Sequence, residues 1–480
     1  MIIGRVILTN YRSTSLFLIL FMTALLSPGA VTAQASLDFN WNEINEEALG
    51  YFRDLIAINT TNPPGNETEL ANYLKNIFDR EDVESSLYFL DPERANLVAR
   101  INGNGSKKPI LIMEHSDVVG VQAENWDTDP FVATERDGYI YGRGTLDDKD
   151  SITAALMVML LLKRNNIELD RDIIFLAESG EEGTTKFGVD YMVENHWDKI
   201  ESEFCLAEGG GAVSIDGEVK YVSITTTEKF PMRIKLVSNG EASHGSRPSK
   251  DNAILILSQA LAKIGAWRSP MRLNDTTRAY FERLATIAPP DQAEWYRKIL
   301  DVDTENEAQN YFEMNEPIHF SILRTSIAPT IVSGGFRRNV VPSTAEATID
   351  IRGLPDESPE DFYKIIESLI DDDRVELIPE GVYRPASPPS SIENEMFQSL
   401  ERTVEKMYPS AVTLPTMMTG ATDMAQIRNM GVDCYGFGPL RTQSDINGPG
   451  GAHGDNERIL KDSILGLVQF LWYTIIDISL

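Results

Sequence analysis

The sequence predicts an α/β protein: a mixed sheet flanked by helices and interrupted by an inserted α+β unit. Three observations carry this. Between residues 95 and 208, short apolar runs alternate with amphipathic stretches, the pattern of strands joined by crossover helices. The alternation changes character near residue 228 and returns from Ile392. At 480 residues the chain exceeds what one ordinary core organises, so two domains are expected.

The elements follow in order. Residues 44–58 and 67–80 read as amphipathic helices around the loop Thr60-Thr61-Asn62-Pro63-Pro64-Gly65. Residues 95–101 and 109–113 are strand-like, and residues 149–163 form a strongly apolar, buried helix. A strand at 172–177, a helix at 187–195 and a strand at 204–207 complete the first pattern. Residues 230–237, 344–351 and 375–378 read as strands of a second unit, with helices at 252–263 and 358–370. Residues 266–320 are helical and rich in aromatic and acidic side chains. Pro385, Pro388 and Pro389 mark the exit from this unit. The chain therefore divides into residues 36–227, an inserted unit at 228–386, and a return to the first domain at 387–480. The last apolar stretch, 463–480, contains Asp477 and reads as a packed terminal helix.

Residues 1–35 read as a cleaved signal peptide. Arg5 and Arg12 precede the apolar run 16–26, and Ala33-Gln34-Ala35 supplies small residues for cleavage. That run is shorter than the ~20 apolar residues a bilayer span needs. The expected location is secreted or periplasmic, with no stable membrane association after cleavage. The formal net charge of −30 argues against nucleic-acid and anionic-membrane partners, which require basic surfaces. Cys205 and Cys434 lie in strand-like runs and read as buried free thiols.

Chemistry concentrates in loops that follow the strands, where open α/β sheets bind ligands. Met113-Glu114-His115-Ser116-Asp117 comes first, then Gly142-Arg143-Gly144-Thr145-Leu146-Asp147-Asp148-Lys149. Glu178-Ser179-Gly180-Glu181-Glu182-Gly183, Ala207-Glu208-Gly209-Gly210 and Gly451-Ala452-His453-Gly454-Asp455 follow. Imidazoles and carboxylates so placed are the donor set of a zinc-type centre.

Taken together and in this order, the five motifs resemble the M20 family of co-catalytic zinc peptidases and amidohydrolases. The resemblance runs from the Asn62 loop to His453. It implies a zinc-peptidase-type catalytic domain, with the inserted unit serving as a lid or dimerisation domain, and two zinc ions per chain (cobalt or manganese could suit the same donors). His115 and Glu208 would bind one metal, Glu182 and His453 the other, and Asp147 would bridge them. Asp117 would orient the His115 ring, and Glu181 would be the general base. His244, in Ala242-Ser243-His244-Gly245, matches the lid histidine that assists the reaction. Asn339 and Arg352 match the pair that holds a substrate carboxylate. The resemblance also implies a cis Asp147–Asp148 bond. In dimeric members the lid histidine reaches the neighbouring subunit, so a homodimer through the lid is expected alongside closure within one chain.

The implied function is hydrolysis of an amide bond beside a free carboxylate, in a peptide or an N-acyl amino acid. A paired-carboxylate glycosidase built on Glu181 would leave the histidines idle. A non-catalytic metal-containing binding protein would be marked by loss of a ligand or base, and none is lost. His196 and His319 have no motif around them and read as structural or surface residues, and Trp126 reads as a packing residue. Ala421 replaces a frequent glycine in Gly420-Ala421-Thr422-Asp423, which narrows that wall of the pocket.

Overall fold

Where apolar residues occupy consecutive positions, the strands are buried on both faces. In the computed structural model, which describes residues 39–381 and 384–480, Ile110–His115 and Ile173–Glu178 are buried throughout. They run parallel to each other, with Phe204–Glu208 and then Asp433–Phe437 parallel beyond. Arg94–Ile101 and Glu84–Asp91 extend one side antiparallel. Glu218–Glu228, Gly211–Ile215, Arg441–Thr442 and Val412–Met418 extend the other, giving ten strands in a mixed sheet. The signal-peptide reading of residues 1–35 lies outside the described residues.

Helices cover both faces of this sheet. Lys149–Arg164 is buried from Lys149 to Leu162, because Trp41–Ala57 and Lys461–Ser479 pack over it. Val189–Ile200 and Met424–Asn429 cover the opposite face through Val189, Met192, Met424 and Ile427. No helix among the described residues is long and apolar enough to cross a membrane. Cys205 and Cys434 are free, buried neighbours on adjacent parallel strands.

The second unit is an antiparallel sheet in the order Ser326–Gly334, Thr344–Gly353, Phe230–Asn239, Val375–Pro379. Alternation decides its faces. Phe230, Met232, Ile234, Ile349 and Ile351 point into a core closed by the helices Ala253–Ala266 and Pro359–Ile370. The intervening Arg233, Asp350 and Arg352 lie on the opposite, open face.

The helical segment 266–320 behaves differently from the rest of this unit. Its helices Asp275–Ile287, Pro290–Lys298 and Glu305–Asn315 form a separate aromatic core around Phe281, Tyr296 and Phe312. That core includes Met417 of the first sheet. Arg283 donates to Glu401 and to the Thr413 carbonyl at 2.7 and 2.9 Å. The segment thus docks on the strand Val412–Met418 and the helix Glu395–Met407. An aromatic stripe reads as helical from sequence but does not say which domain it will cover.

Among the strands that escape the sequence reading are Glu84–Asp91, Gly211–Ile215, Glu218–Glu228 and Ser326–Gly334. The last is an edge strand, exposed over most of its length and broken by Pro329, so it carries no inward–outward alternation.

Candidate active site

Two loops are tied before any ligand is considered. Arg143 pairs with Glu457, both buried. Gly142 N–H donates to the Glu457 carbonyl at 3.0 Å, and Leu146 N–H to the Glu457 carboxylate at 2.7 Å. These bonds bring Asp147 and His453 together from positions 306 residues apart. The Lys149 ammonium is fully buried and donates to the carbonyls of Leu55 and Ile58 at 2.9 and 2.7 Å. It anchors the helix that starts immediately after Asp147 and Asp148. Burial pushes this ammonium down to about 7.

A third loop is built on Asp117. Its carboxylate accepts from the backbone N–H of Gly180 and Glu181 at 3.0 and 3.1 Å, and of Glu182 at 3.1 Å. Asn62 adds a fourth bond at 2.7 Å. Gly180 makes the turn possible: its φ is +90°, and a Cβ there would stand 2.5 Å from the Thr184 carbonyl oxygen. Burial alone would raise the Asp117 carboxyl, but His115, Asn62 and the Glu182 N–H hold it below the usual range.

Asp117 also stands beside the His115 ring, the place expected of it. The His115 Nδ1 lies 3.0 Å from the Asp117 backbone carbonyl and 3.5 Å from its carboxylate. Carbonyl and carboxylate both face this ring nitrogen, and the carboxylate in addition shapes the loop bearing Glu181 and Glu182.

The five expected ligands converge. His115 Nε2 is 2.8 Å from one Asp147 oxygen, and His453 Nε2 is 3.0 Å from the other. His453 also lies 2.8 Å from Glu182, and His115 lies 4.0 Å from Glu208. Two sets, His115–Asp147–Glu208 and Asp147–Glu182–His453, each gather donor atoms within 4.8 Å of one another. A third set, His115–Glu181–Glu182, overlaps both. Donor atoms around a tetrahedral zinc stand about 3.4 Å apart when each bond is ~2.1 Å, so these separations fit two metals sharing Asp147. His453 has φ of +63°, a left-handed conformation that non-glycine residues adopt mostly where structure enforces it. The Asp147–Asp148 bond is cis, as the resemblance implies.

Electrostatics point the same way. The Asp147 and Glu182 carboxylates push His453 up to about 10. Burial opposes charge on His115, yet Asp117 and Asp147 raise its proton affinity well above normal. Burial and the neighbouring Asp147 charge raise Glu208. A cluster that holds protons this tightly is short of positive charge, which divalent cations supply.

Glu181 lies beside this cluster and, with Glu182 and Glu208, lines a cleft of about 650 Å³. Burial drives its carboxyl well above the usual range, against the pull of Arg384. Arg384 is a cleft residue that sequence reasoning did not single out. Its guanidinium pairs with the Glu181 carboxylate. It also donates to the carbonyls of Glu181 and Ala421 at 2.7 and 2.8 Å and lies 3.4 Å from Asp423. A lone arginine before a proline run carries no signal of this contact.

Arg352 lines the same cleft, but His244 and Asn339 do not. Those two are exposed and lie together, with Gly245 N–H donating to the Asn339 carbonyl at 2.9 Å. The structure thus brings seven expected residues and Arg352 to one place and leaves two elsewhere. The three residues read as structural or packing are accounted for. His196 and His319 each meet a tyrosine hydroxyl at 2.9 Å, and the Trp126 ring packs under Arg143.

Comparison with known proteins agrees. The family described as peptidase family M20/M25/M40 matches residues 111–477. The chain is 30% identical over 380 residues to an N-fatty-acyl-amino acid synthase/hydrolase, PM20D1, from Xenopus tropicalis, covering 75% of this chain and 71% of that protein. It is 27% identical over 437 residues to a probable succinyl-diaminopimelate desuccinylase of Staphylococcus aureus, covering 88% and 95%. In fold it is similar to an M20 family metallo-carboxypeptidase, Sso-CP2, from Sulfolobus solfataricus. The TM-score is 0.64 at 21% identity, over 89% of this chain and 98% of that one.

Proposed function

From the premise that this chain belongs to peptidase family M20/M25/M40, as a metal-dependent peptidase or amidohydrolase, we propose that it cleaves an amide bond beside a free carboxylate. The observation that carries this reading is Asp147, whose two oxygens each face a different imidazole. His115 and Glu208 would hold one cation, Glu182 and His453 the second, and Asp147 would contribute to both. Zinc suits this nitrogen and oxygen set. When bound, two such cations acidify water and polarise the amide carbonyl.

The chain's own residues do the rest. Glu181 takes the proton of the attacking water as the new C–O bond forms, then returns it to the leaving nitrogen as the C–N bond breaks. Arg384 keeps its carboxylate aimed into the cleft. Arg352 offers a guanidinium to the substrate carboxylate. His244 and Asn339 join the site by closure of the lid or from a second copy of the chain. The edge strand Ser326–Gly334 favours a second copy, since Ile331 and Val332 are 61% and 62% exposed on it and unpaired edges invite pairing.

A second reading, release of an acyl group from an N-acyl amino acid, is favoured by the similarity to PM20D1. A screen of dipeptides and N-acyl amino acids, with and without chelator, tests both. Chelator-sensitive cleavage of carboxylate-bearing amides is expected. Turnover that ignores chelator contradicts the proposal. Export after removal of residues 1–35 is also proposed, and N-terminal sequencing of the protein recovered from its native host checks it.

A further inference from the structure

The cleft presents cations on its lid side. Arg233 and Arg352 line it from neighbouring antiparallel strands. The register sets Arg233 opposite Asp350 and Pro231 opposite Arg352, which puts the two arginines diagonally across one face, about 7–8 Å apart at the backbone. Asp350 serves both. Arg352 Nε donates to one of its oxygens at 2.9 Å, and Arg233 Nε stands 3.7 Å from the other. One carboxylate thus hydrogen-bonds the Nε edge of Arg352 and faces Arg233 at ion-pair distance. Their terminal nitrogens find no acceptor among the described residues; Arg352 is half-buried and Arg233 exposed towards the cleft. Arg384, by contrast, is committed to Glu181 and Asp423.

Charge makes this arrangement selective. Two guanidiniums against one carboxylate leave a net positive charge on a protein whose formal charge is −30. A dianionic ligand repelled by the surface as a whole is attracted at this place. The residues lining the cleft include few apolar ones, namely Pro231, Met418 and Ala421 beside three arginines and several acids. That lining suits a short polar substrate and offers little to a long hydrocarbon chain.

We propose that Arg233 and Arg352 form a dicarboxylate subsite, and that the residue released by cleavage is aspartate or glutamate. Arg352 takes the carboxylate beside the scissile amide and Arg233 the side-chain carboxylate. The neutral isosteres, asparagine and glutamine, leave Arg233 without its partner. This rests on the amide-hydrolase reading for Arg352 and adds to it the role of Arg233.

The test compares N-acetylglutamate with N-acetylglutamine as substrates of the metal-loaded enzyme, alongside calorimetric binding of glutarate and glutaramate. A charge-assisted, two-pronged contact predicts a preference of about 10- to 100-fold for the acid in kcat/KM and in binding. In Arg233→Gln that preference collapses to within a few-fold. In Arg233→Lys part of it survives, because a point charge remains without the fork. Lys235→Gln is the control: Lys235 lies on the same strand but faces Glu346 and Glu380 at 3.8 Å, and the preference is retained. Equal use of both substrates by the wild-type enzyme overturns the inference and leaves the amide-hydrolase reading intact. Failure to cleave either, with glutarate still bound through Arg233, overturns the hydrolase reading and leaves the subsite.

Discussion

On the sheet side of the cleft, the candidate ligands His115, Asp147, Glu182 and His453 are braced by a neighbour. Asp117 holds the Glu181–Glu182 loop by three backbone N–H groups, and Glu457 ties the Asp147 loop to the His453 loop. On the lid side, His244 stands exposed on a pairing of two-residue strands, Ser243–His244 and Val340–Val341, with Asn339 exposed just before the second. The difference teaches where preorganisation is needed. Metal ligands and the base must be fixed before substrate arrives, because their geometry sets the chemistry. Groups that meet the substrate from the lid can be delivered later by a moving element.

The largest effect expected from breaking the braced side is at Glu181. Glu181→Gln removes the base and leaves the ligand set, so turnover falls about 10²- to 10⁴-fold while metal content is unchanged. Measured turnover within a few-fold of wild type would remove Glu181 from the mechanism.

On the lid side, His244→Ala is expected to lower kcat by about 10²- to 10³-fold, the cost of one donor to the developing oxyanion. Mixing those chains with Glu181→Gln chains then sharpens the comparison. If His244 acts across a dimer, mixed dimers recover one working site. If it acts within its own chain, no mixture recovers activity.

A smaller effect is expected at Asp117, which touches no substrate. Asp117→Asn weakens the acceptor for the 180–182 loop and is expected to lower metal affinity or activity about 10- to 100-fold. A variant indistinguishable from wild type would mean that Asn62 and the remaining turn fix the loop unaided.

The gentlest probe is pH. Without cations His453 keeps its proton up to about 10, and a metal must displace that proton. Apparent metal affinity is therefore expected to rise as pH increases from 6 towards 10. Titrations with a metal indicator at several pH values check this, and a flat profile would show that no imidazole proton is displaced.

Much of the braced side was legible in the sequence, since its residues sit in five short motifs, four of them at the ends of strands and the fifth, Gly451–Asp455, between the helix Gln443–Asn447 and the strand Arg458–Leu460. The strands themselves were legible because runs such as Ile173–Glu178 are apolar at successive positions and buried throughout. What escaped depends on contacts between distant segments. Arg384 reaches Glu181 across 203 residues, and no local pattern announces it. The Asp117 carboxylate was expected beside the His115 ring, but its second task, accepting from three N–H groups of the 180–182 loop, has no local signal. The edge strand Ser326–Gly334 was missed because exposure removes the alternation that marks a half-buried strand. The helices of 266–320 were legible as helices, but their docking on Met417 and Thr413 was not.

The central claim is that one carboxylate, Asp147, joins two metal sites. Metal content by elemental analysis, measured on the purified wild-type protein and on Asp147→Ala after identical loading, tests it most directly. The account predicts about two divalent ions per chain in the wild type and fewer than one in the variant. Two ions retained by Asp147→Ala would contradict it.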